Sequence, residues 1–464
     1  LRPARRRRRS CARRRPRERK IPAPTRSPPM NRDAMPNAFR PGAVDLPPRE
    51  ADLVARRQAL LGPAYRLFYE RPLHIVRGEG VWLYDADGTA YLDAYNNVAS
   101  LGHCHPRVVD AVARQAGQLA THTRYLHEGV LELAERLLAT LPTELGHAMF
   151  TCTGSEANDL ALRLAFAATG GTGVIVTENA YHGVTMGVAA LSPSLGPGVP
   201  LGVHVRTVPA PDQDKGADVT FGAAVAAAAA DLARHGIRPA ALILDTVFSS
   251  DGVFTHPTDT LAPAAAAIRA AGGLFIADEV QPGFGRTGEA MWGFLRHGVV
   301  PDMVSMGKPM GNGYPVAALA LRPELAERFG AGARYFNTFG GNAVAAAAAL
   351  AVLDTLEAEG LQAHALNVGG QFRADLSALS ARDPRLGAVR GAGLFLGVEV
   401  LEPESRAPDA RMAARIVNGL REARVLISAT GPHGHVLKIR PPLVFSDANA
   451  AFFLERFESV LAAL

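Results

Sequence analysis

The sequence predicts an α/β protein: a mainly parallel sheet flanked by helices, completed by a smaller α+β domain. Three observations carry that expectation. Between about residues 106 and 321, short apolar runs such as "GVIVTE", "AALILD" and "GLFIADE" alternate with helical stretches such as "SEANDLALRLAFAAT" and "TLAPAAAAIRAAG", which is the rhythm of βαβ units. The runs are continuously apolar rather than alternating, as strands buried on both faces are. After "AVAAAAALAVLDTLEAEGL" the pattern turns mixed, with "GLFLGVEVL" and "HVLKIRPPLVF" as strands.

The elements follow in order. Thirteen of the first thirty residues are basic and one is acidic, so this segment carries +12 of a net +5 and leaves the rest of the chain at −7. Its Arg and Pro content and lack of an apolar run predict a disordered tail over 1–35, not a secretory signal. Such a composition also suits a nucleic-acid arm or transit peptide, but it fits an upstream extension better, with the working protein starting near Met30 or Met35. Residues 36–105 form an N-terminal segment that joins the smaller domain, and "VWLYDADGTAYLDAYNN" within it signals a hairpin around Asp87-Gly88. Residues 106–342 make the large domain and 343–464 the C-terminal small one. With 48% hydrophobic residues the chain can bury two such cores. No uncharged stretch is long enough to span a membrane. Three scattered cysteines, Cys11, Cys104 and Cys152, are not a disulfide framework and point to a cytoplasmic protein.

Chemistry concentrates in three places. The apolar run Leu274–Ala277 ends in adjacent carboxylates, Asp278 and Glu279, before a Gly-rich loop. That places Asp278 at the carboxyl end of a buried strand, where open α/β sheets bind ligands, and a buried carboxylate there needs a cationic or hydrogen-bonding partner. Lysine is scarce: only Lys20, Lys215, Lys308 and Lys438 occur. Lys308 follows the run Met303–Met306 and is followed by Pro309, so it is not the lysine of a P-loop. A lysine amine becomes nucleophilic when burial lowers its pKa, as Schiff-base chemistry requires. The third place is "FTCTGSEANDLALRL", a strand, Thr153-Gly154-Ser155, then a helix expected to begin near Glu156. Helix-start N–H groups and the Ser155 hydroxyl would cradle a phosphate. A lysine for the aldehyde, a carboxylate for the ring nitrogen and a phosphate cradle are together what pyridoxal 5'-phosphate needs.

With these residues in view, the chain resembles the class III aminotransferases, which are fold-type I pyridoxal-phosphate enzymes. "GSEAND", "AYHG", "IADEVQPGFGRTG", "SMGKPMGNGYPVAA" and "FNTFGGN" stand in the family's order, and the likeness runs from about residue 60 to the end. The resemblance implies that Lys308 forms the Schiff base with the cofactor and Asp278 pairs with its ring nitrogen. It implies further that Gly154 and Ser155 bind its phosphate, that Tyr181 stacks on the ring with His182 beside it, and that Gln281 lies near the ring hydroxyl. Thr338 would reach the neighbouring subunit's phosphate, implying a homodimer with shared sites. "GHCHP", Gly102 to Pro106, is read as loop structure rather than a metal cluster, because three adjacent ligands cannot easily close on one ion.

The family's chemistry covers several outcomes. Many members carry "EP[VI]QGEGG" where this chain has "LDTVFSSDGV": Asp245 replaces the first Glu, Phe248 the Gln, and Ser250 the Glu that pairs with a carboxylate-binding Arg. That Arg corresponds to Lys438, read as the substrate-binding residue, so a bidentate fork becomes a point charge. Several stretches look most like the branch containing ethanolamine-phosphate phospho-lyase. The expectation is an aminotransferase moving an amino group from an amine or amino acid to a keto acid; the alternative is elimination of phosphate from a vicinal amino phosphate, where Lys438 and Arg440 suit the phosphate. A non-enzymatic protein using the Arg-rich tail on nucleic acid is disfavoured by intact Lys308 and Asp278.

Overall fold

The computed structural model describes residue 35 and residues 37–211 and 217–464. The expected tail over 1–35 therefore lies almost wholly outside the described residues. Residues 33–464 form one compact unit, organised around three sheets.

The first sheet is built from β1 (Ile75–Glu79), β2 (Trp82–Asp85) and β3 (Ala90–Asp93). β2 and β3 pair antiparallel across the Asp87-Gly88 turn. The large central sheet contains β4 (His147–Thr151), β5 (Gly173–Thr177), β6 (Val205–Val208), β7 (Pro239–Asp245), β8 (Leu274–Asp278), β9 (Met303–Met306) and β10 (Ala317–Leu321). Its order is β4-β10-β9-β8-β7-β5-β6. The pairings from β6 through β9 are parallel, whereas β10 runs antiparallel to both β4 and β9. The remaining strands are β11 (Leu386–Ala392), β12 (Phe395–Val400), β13 (Val425–Leu426), β14 (Ser428–Thr430) and β15 (Val436–Ile439). β11, β12, β15 and β14 make a third, antiparallel sheet, while β13 leaves it to pair parallel with β3. The amino-terminal hairpin is thus tied to the carboxyl-terminal segment by backbone hydrogen bonds.

The apolar runs are continuous because the central sheet has a core on each face. Ile175, Leu242, Leu244, Phe275 and Val304 pack into one cluster, and their strand neighbours Val174, Ile243, Ile276 and Met303 into the other, as the two-residue period of a strand demands. Truncating one of these fully buried leucines or isoleucines to alanine costs about 2–5 kcal/mol. The carboxyl ends of β7, β8 and β9 then sit side by side, with Asp245 in register with Asp278 and Asp278 with Ser305. This edge is where the polar chemistry of the chain collects.

Candidate active site

Strand alternation separates the two adjacent carboxylates. Glu279 turns away from the edge and accepts from Thr246 Oγ1 (2.6 Å), Gly293 N (2.7 Å) and Phe294 N (2.8 Å). Burial pushes its carboxyl up to about 7 against the pull of those three donors, so it serves as a buried anchor for the loop after Trp292. Asp278 faces the other way. Its Oδ2 accepts from Asn158 Nδ2 (2.9 Å) and is 2.7 Å from His182 Nδ1, while Oδ1 accepts from Val280 N (3.1 Å). An ionised carboxylate only accepts, so the His182 proton is assigned to Nδ1. His182 is itself held by its backbone N–H on Ser192 Oγ (2.9 Å) and its carbonyl under Asn158 Nδ2 (2.8 Å). Asp278 thus meets an amide and an imidazole, not an arginine.

Lys308 opens a short 3₁₀ turn, Lys308–Gly311, with a positive φ of 26°. Its Nζ lies 6.0 Å from the centroid of the Tyr181 ring. Burial, then the nearby Arg440, lowers its pKa from the ordinary lysine value, opposed by Asp278 and Asp245. The shift favours the neutral, nucleophilic form of the amine.

Close by stands the start of the helix Gly154–Thr169, two residues earlier than the sequence suggested. Thr153 is the N-cap: Glu156 N donates to Thr153 Oγ1 (3.2 Å), and Thr153 N to Glu156 Oε2 (3.1 Å), a full capping box. The box occupies the Thr153 hydroxyl and leaves Gly154 and Ser155 as the first helical residues, whose N–H groups have no partner within the helix. A Cβ on Gly154 would stand 2.7 Å from Val280 Cγ2, so glycine is required where the loop after Asp278 passes the helix. Ser155 Oγ accepts from Val184 N (3.1 Å).

These parts, together with Tyr181 and Gln281, line one cavity of about 300 Å³. A dianion fits the helix start, a protonated ring nitrogen fits Asp278, and an aldehyde fits the Lys308 amine. The residues present suit pyridoxal phosphate.

Two expected residues lie off this cavity. Thr338 is exposed on the loop before the helix Ala343–Ala358. Lys438, on β15, sits one layer behind Gln281, with Nζ 3.4 Å from Gln281 Oε1. Arg440 Nη1 donates to the same oxygen. Both cations are buried, at 7% and 5% exposure, and among the described residues the acceptor they share is an amide rather than a carboxylate. Gln281 Nε2 in turn is 2.5 Å from Ser249 Oγ and 3.4 Å from Asp245 Oδ2. The altered loop is fastened elsewhere: Asp251 accepts from Thr177 Oγ1 (2.7 Å) and Asn179 N (3.1 Å), and burial pushes its carboxyl up to about 7. In the "GHCHP" stretch His103 goes to Asp93 (2.7 Å) and His105 to Glu359 (3.5 Å), so the two rings serve different carboxylates. Sequence reading missed Asn158. Its signal was present: one helical turn after Gly154, on the face that carries the cradle.

A lysine, an oriented carboxylate and a helix-start cradle at the carboxyl edge of an α/β sheet define an enzyme of the pyridoxal-phosphate class. The comparisons agree: residues 68–461 match the family "Aminotransferase class-III", and the chain belongs to that family. A Drosophila melanogaster protein described as alanine–glyoxylate aminotransferase 2-like is 40% identical over 435 residues, 89% of this chain and 88% of the relative. The structure of an Arthrobacter phospholyase in complex with phosphoethanolamine matches with TM-score 0.86 and 44% identity, covering 89% of this chain and all of that one. An amine transaminase from an uncultivated Pseudomonas species, solved with pyridoxal phosphate bound, matches with TM-score 0.78 and 28% identity over 92% and 98% of the two chains. The cofactor of this enzyme is pyridoxal 5'-phosphate, and its fold is that of the fold-type I transaminases.

Proposed function

We propose that this aminotransferase moves an amino group from an amine carrying an anionic group to a keto acid, with Lys308 as its base. The observation that carries the reading is the convergence of Lys308, Asp278 and the Thr153–Ser155 helix start on one cavity. Bound there, pyridoxal phosphate supplies an aldehyde that captures amines and a ring that withdraws electrons from the adjacent carbon. Gly154 and Ser155 would hold its phosphate, and Tyr181 and Gln281 would line the space for its ring. Asp278, fixed by Asn158 and His182, keeps a proton on the ring nitrogen. Lys308 Nζ would take the proton from the substrate's carbon and hold it for return. Lys438 and Arg440 attract the anionic group, for which the carbonyl of Gln281 now stands in.

The same observation on the cations favours a second reading, elimination of phosphate from a vicinal amino phosphate. Two buried cations whose shared acceptor is an amide oxygen match a phosphate dianion better than one carboxylate does, and the 44%-identical relative is a phospholyase solved with phosphoethanolamine. Lys308 would take the same proton, after which phosphate leaves and no amino acceptor is consumed. A homodimer is part of the proposal: Thr338 is exposed, and Leu126 and Phe339 nearby are 99% and 69% exposed apolar side chains of the kind an interface covers.

The holoenzyme incubated with phosphoethanolamine and with unphosphorylated amines separates the two readings. Conversion of the cofactor to its amine form, reversed by pyruvate or 2-oxoglutarate, is the expected result. Stoichiometric inorganic phosphate with no acceptor requirement would replace transamination by the second reading.

A further inference from the structure

The reading of Lys438 and Arg440 as an anion site leaves a physical question: what holds a buried guanidinium whose side-chain acceptor among the described residues is an amide? Arg440 Nη1 donates to Gln281 Oε1, but its Nε is buried without a hydrogen-bond partner among the described residues. Two aromatic rings stand beside it. The guanidinium carbon lies 4.8 Å from the centroid of the Tyr95 ring and 5.4 Å from that of Phe395, within the range of cation–π attraction. Burial pulls the Arg440 pKa down from its ordinary value, and Tyr95, Asp245 and Asp93 oppose that pull.

Tyr95 is itself held firmly. It follows β3, and Asp93 Oδ1 accepts from both Tyr95 N (3.0 Å) and Asn96 N (2.9 Å), while Asp93 Oδ2 meets His103 Nε2 (2.7 Å). One residue before Tyr95, Ala94 accepts from the backbone N–H of Arg440 (2.7 Å) and donates to Leu426 O (3.0 Å). Phe68 meets the Tyr95 ring edge-on at 5.4 Å and 89°. The ring and the guanidinium therefore share a backbone connection, and the ring is wedged from behind.

We propose that Tyr95 is a positioning residue of the anion site, acting through Arg440. A carboxylate in that place would consume the charge of Arg440 in a permanent ion pair. The neutral, electron-rich face of a phenol fixes the guanidinium and leaves its charge for an incoming anion. Tyr95 thereby sets the preference for substrates with an anionic group over uncharged amines, and does so without touching the reacting atoms. This rests on the anion-site reading proposed above.

The test uses the holoenzyme, in which the helix-start cradle is already filled by cofactor phosphate, and inorganic phosphate as the probe. Calorimetric Kd for phosphate, and KM and kcat for phosphoethanolamine, are measured for Tyr95→Leu, Tyr95→Phe, Arg440→Met and the Tyr95→Leu/Arg440→Met double variant. Tyr95→Leu is expected to raise Kd and KM about tenfold with kcat within about twofold, as loss of a buried cation–π contact implies. Tyr95→Phe, which keeps the ring, is expected to restore most of that affinity. The double variant is expected to bind no more weakly than Arg440→Met alone, since Tyr95 acts through Arg440. Tyr95→Met, also without a ring, replaces Tyr95→Leu should thermal denaturation show the latter unfolded. Parental phosphate affinity in the ringless variants, with Arg440→Met weakened, would overturn the role of Tyr95 and leave the anion site standing. Parental affinity in Arg440→Met would overturn the anion site itself.

Discussion

Replacing Lys438 by methionine should stabilise the protein while weakening its hold on anionic substrates. Lys438 is buried on β15, 3.4 Å from an amide oxygen, with the Phe395 ring 5.6 Å away and Arg440 two residues further along, just past the end of the strand. Burial, then the Arg440 charge, lowers its pKa well below the ordinary lysine value, and Asp245 only partly opposes this. Such a charge costs the fold more than its one neutral acceptor returns, and apolar replacements of buried charged groups often gain about 1–4 kcal/mol. The sign with pH follows from the depressed pKa. Below the ordinary lysine pKa the unfolded chain holds a proton that the folded chain resists, so stability rises with pH as the folded-state group loses its proton. Lys438→Met should remove that slope, raise the melting temperature by a few degrees near neutral pH, and raise KM for an anionic substrate by about 10- to 100-fold through loss of a charge-assisted contact worth about 1.5–3 kcal/mol. Thermal denaturation of the holoenzyme between pH 6 and 9, with steady-state kinetics on the same preparations, reads both effects. A variant less stable than the parent with KM unchanged would refute the reasoning, because it would show Lys438 to be a satisfied structural group.

Other expectations are more local. Asp278→Asn should keep the fold but lower kcat by several powers of ten, since an amide cannot hold the ring nitrogen protonated; near-parental turnover would exclude that role. Thr153→Ala should cost about 1 kcal/mol through the lost cap and weaken cofactor retention, measurable as faster loss of cofactor absorbance on dilution. Asp251→Asn should flatten the pH dependence of stability between about 4 and 7. With its carboxyl raised from 3.8 to about 7, the folded chain holds a proton that the unfolded chain releases in that window. Stability therefore falls as pH rises across it, and the variant removes the fall.

How much of this was legible in sequence follows from which contacts are local. Asp278, Lys308, Gly154 and Ser155 each sit at the junction of an apolar run and a Gly-bearing loop, so strand ends alone brought them to one edge. The continuous apolarity of β5, β7 and β8 reported a two-faced core directly. β10 was not read as a strand, because "AALAL" lacks β-branched residues and runs into a helical stretch, and its antiparallel direction depends on pairing with β4 and β9. The position of Lys438 behind Gln281, and of Arg440 against Tyr95, joins residues more than 150 and more than 300 positions apart, respectively. No local pattern encodes such contacts. The start of the helix at Gly154 was misplaced by two residues because Gly and Ser are poor helix formers in isolation, whereas here the Thr153–Glu156 box supports them.

The central claim is that Lys308 is the residue to which the cofactor is joined. Borohydride reduction of the purified yellow holoenzyme, followed by proteolysis and mass spectrometry, measures this directly. The account predicts a stable pyridoxyl adduct on the peptide containing Lys308 and none on Lys308→Ala protein. An adduct on Lys215 or Lys438 instead would contradict it.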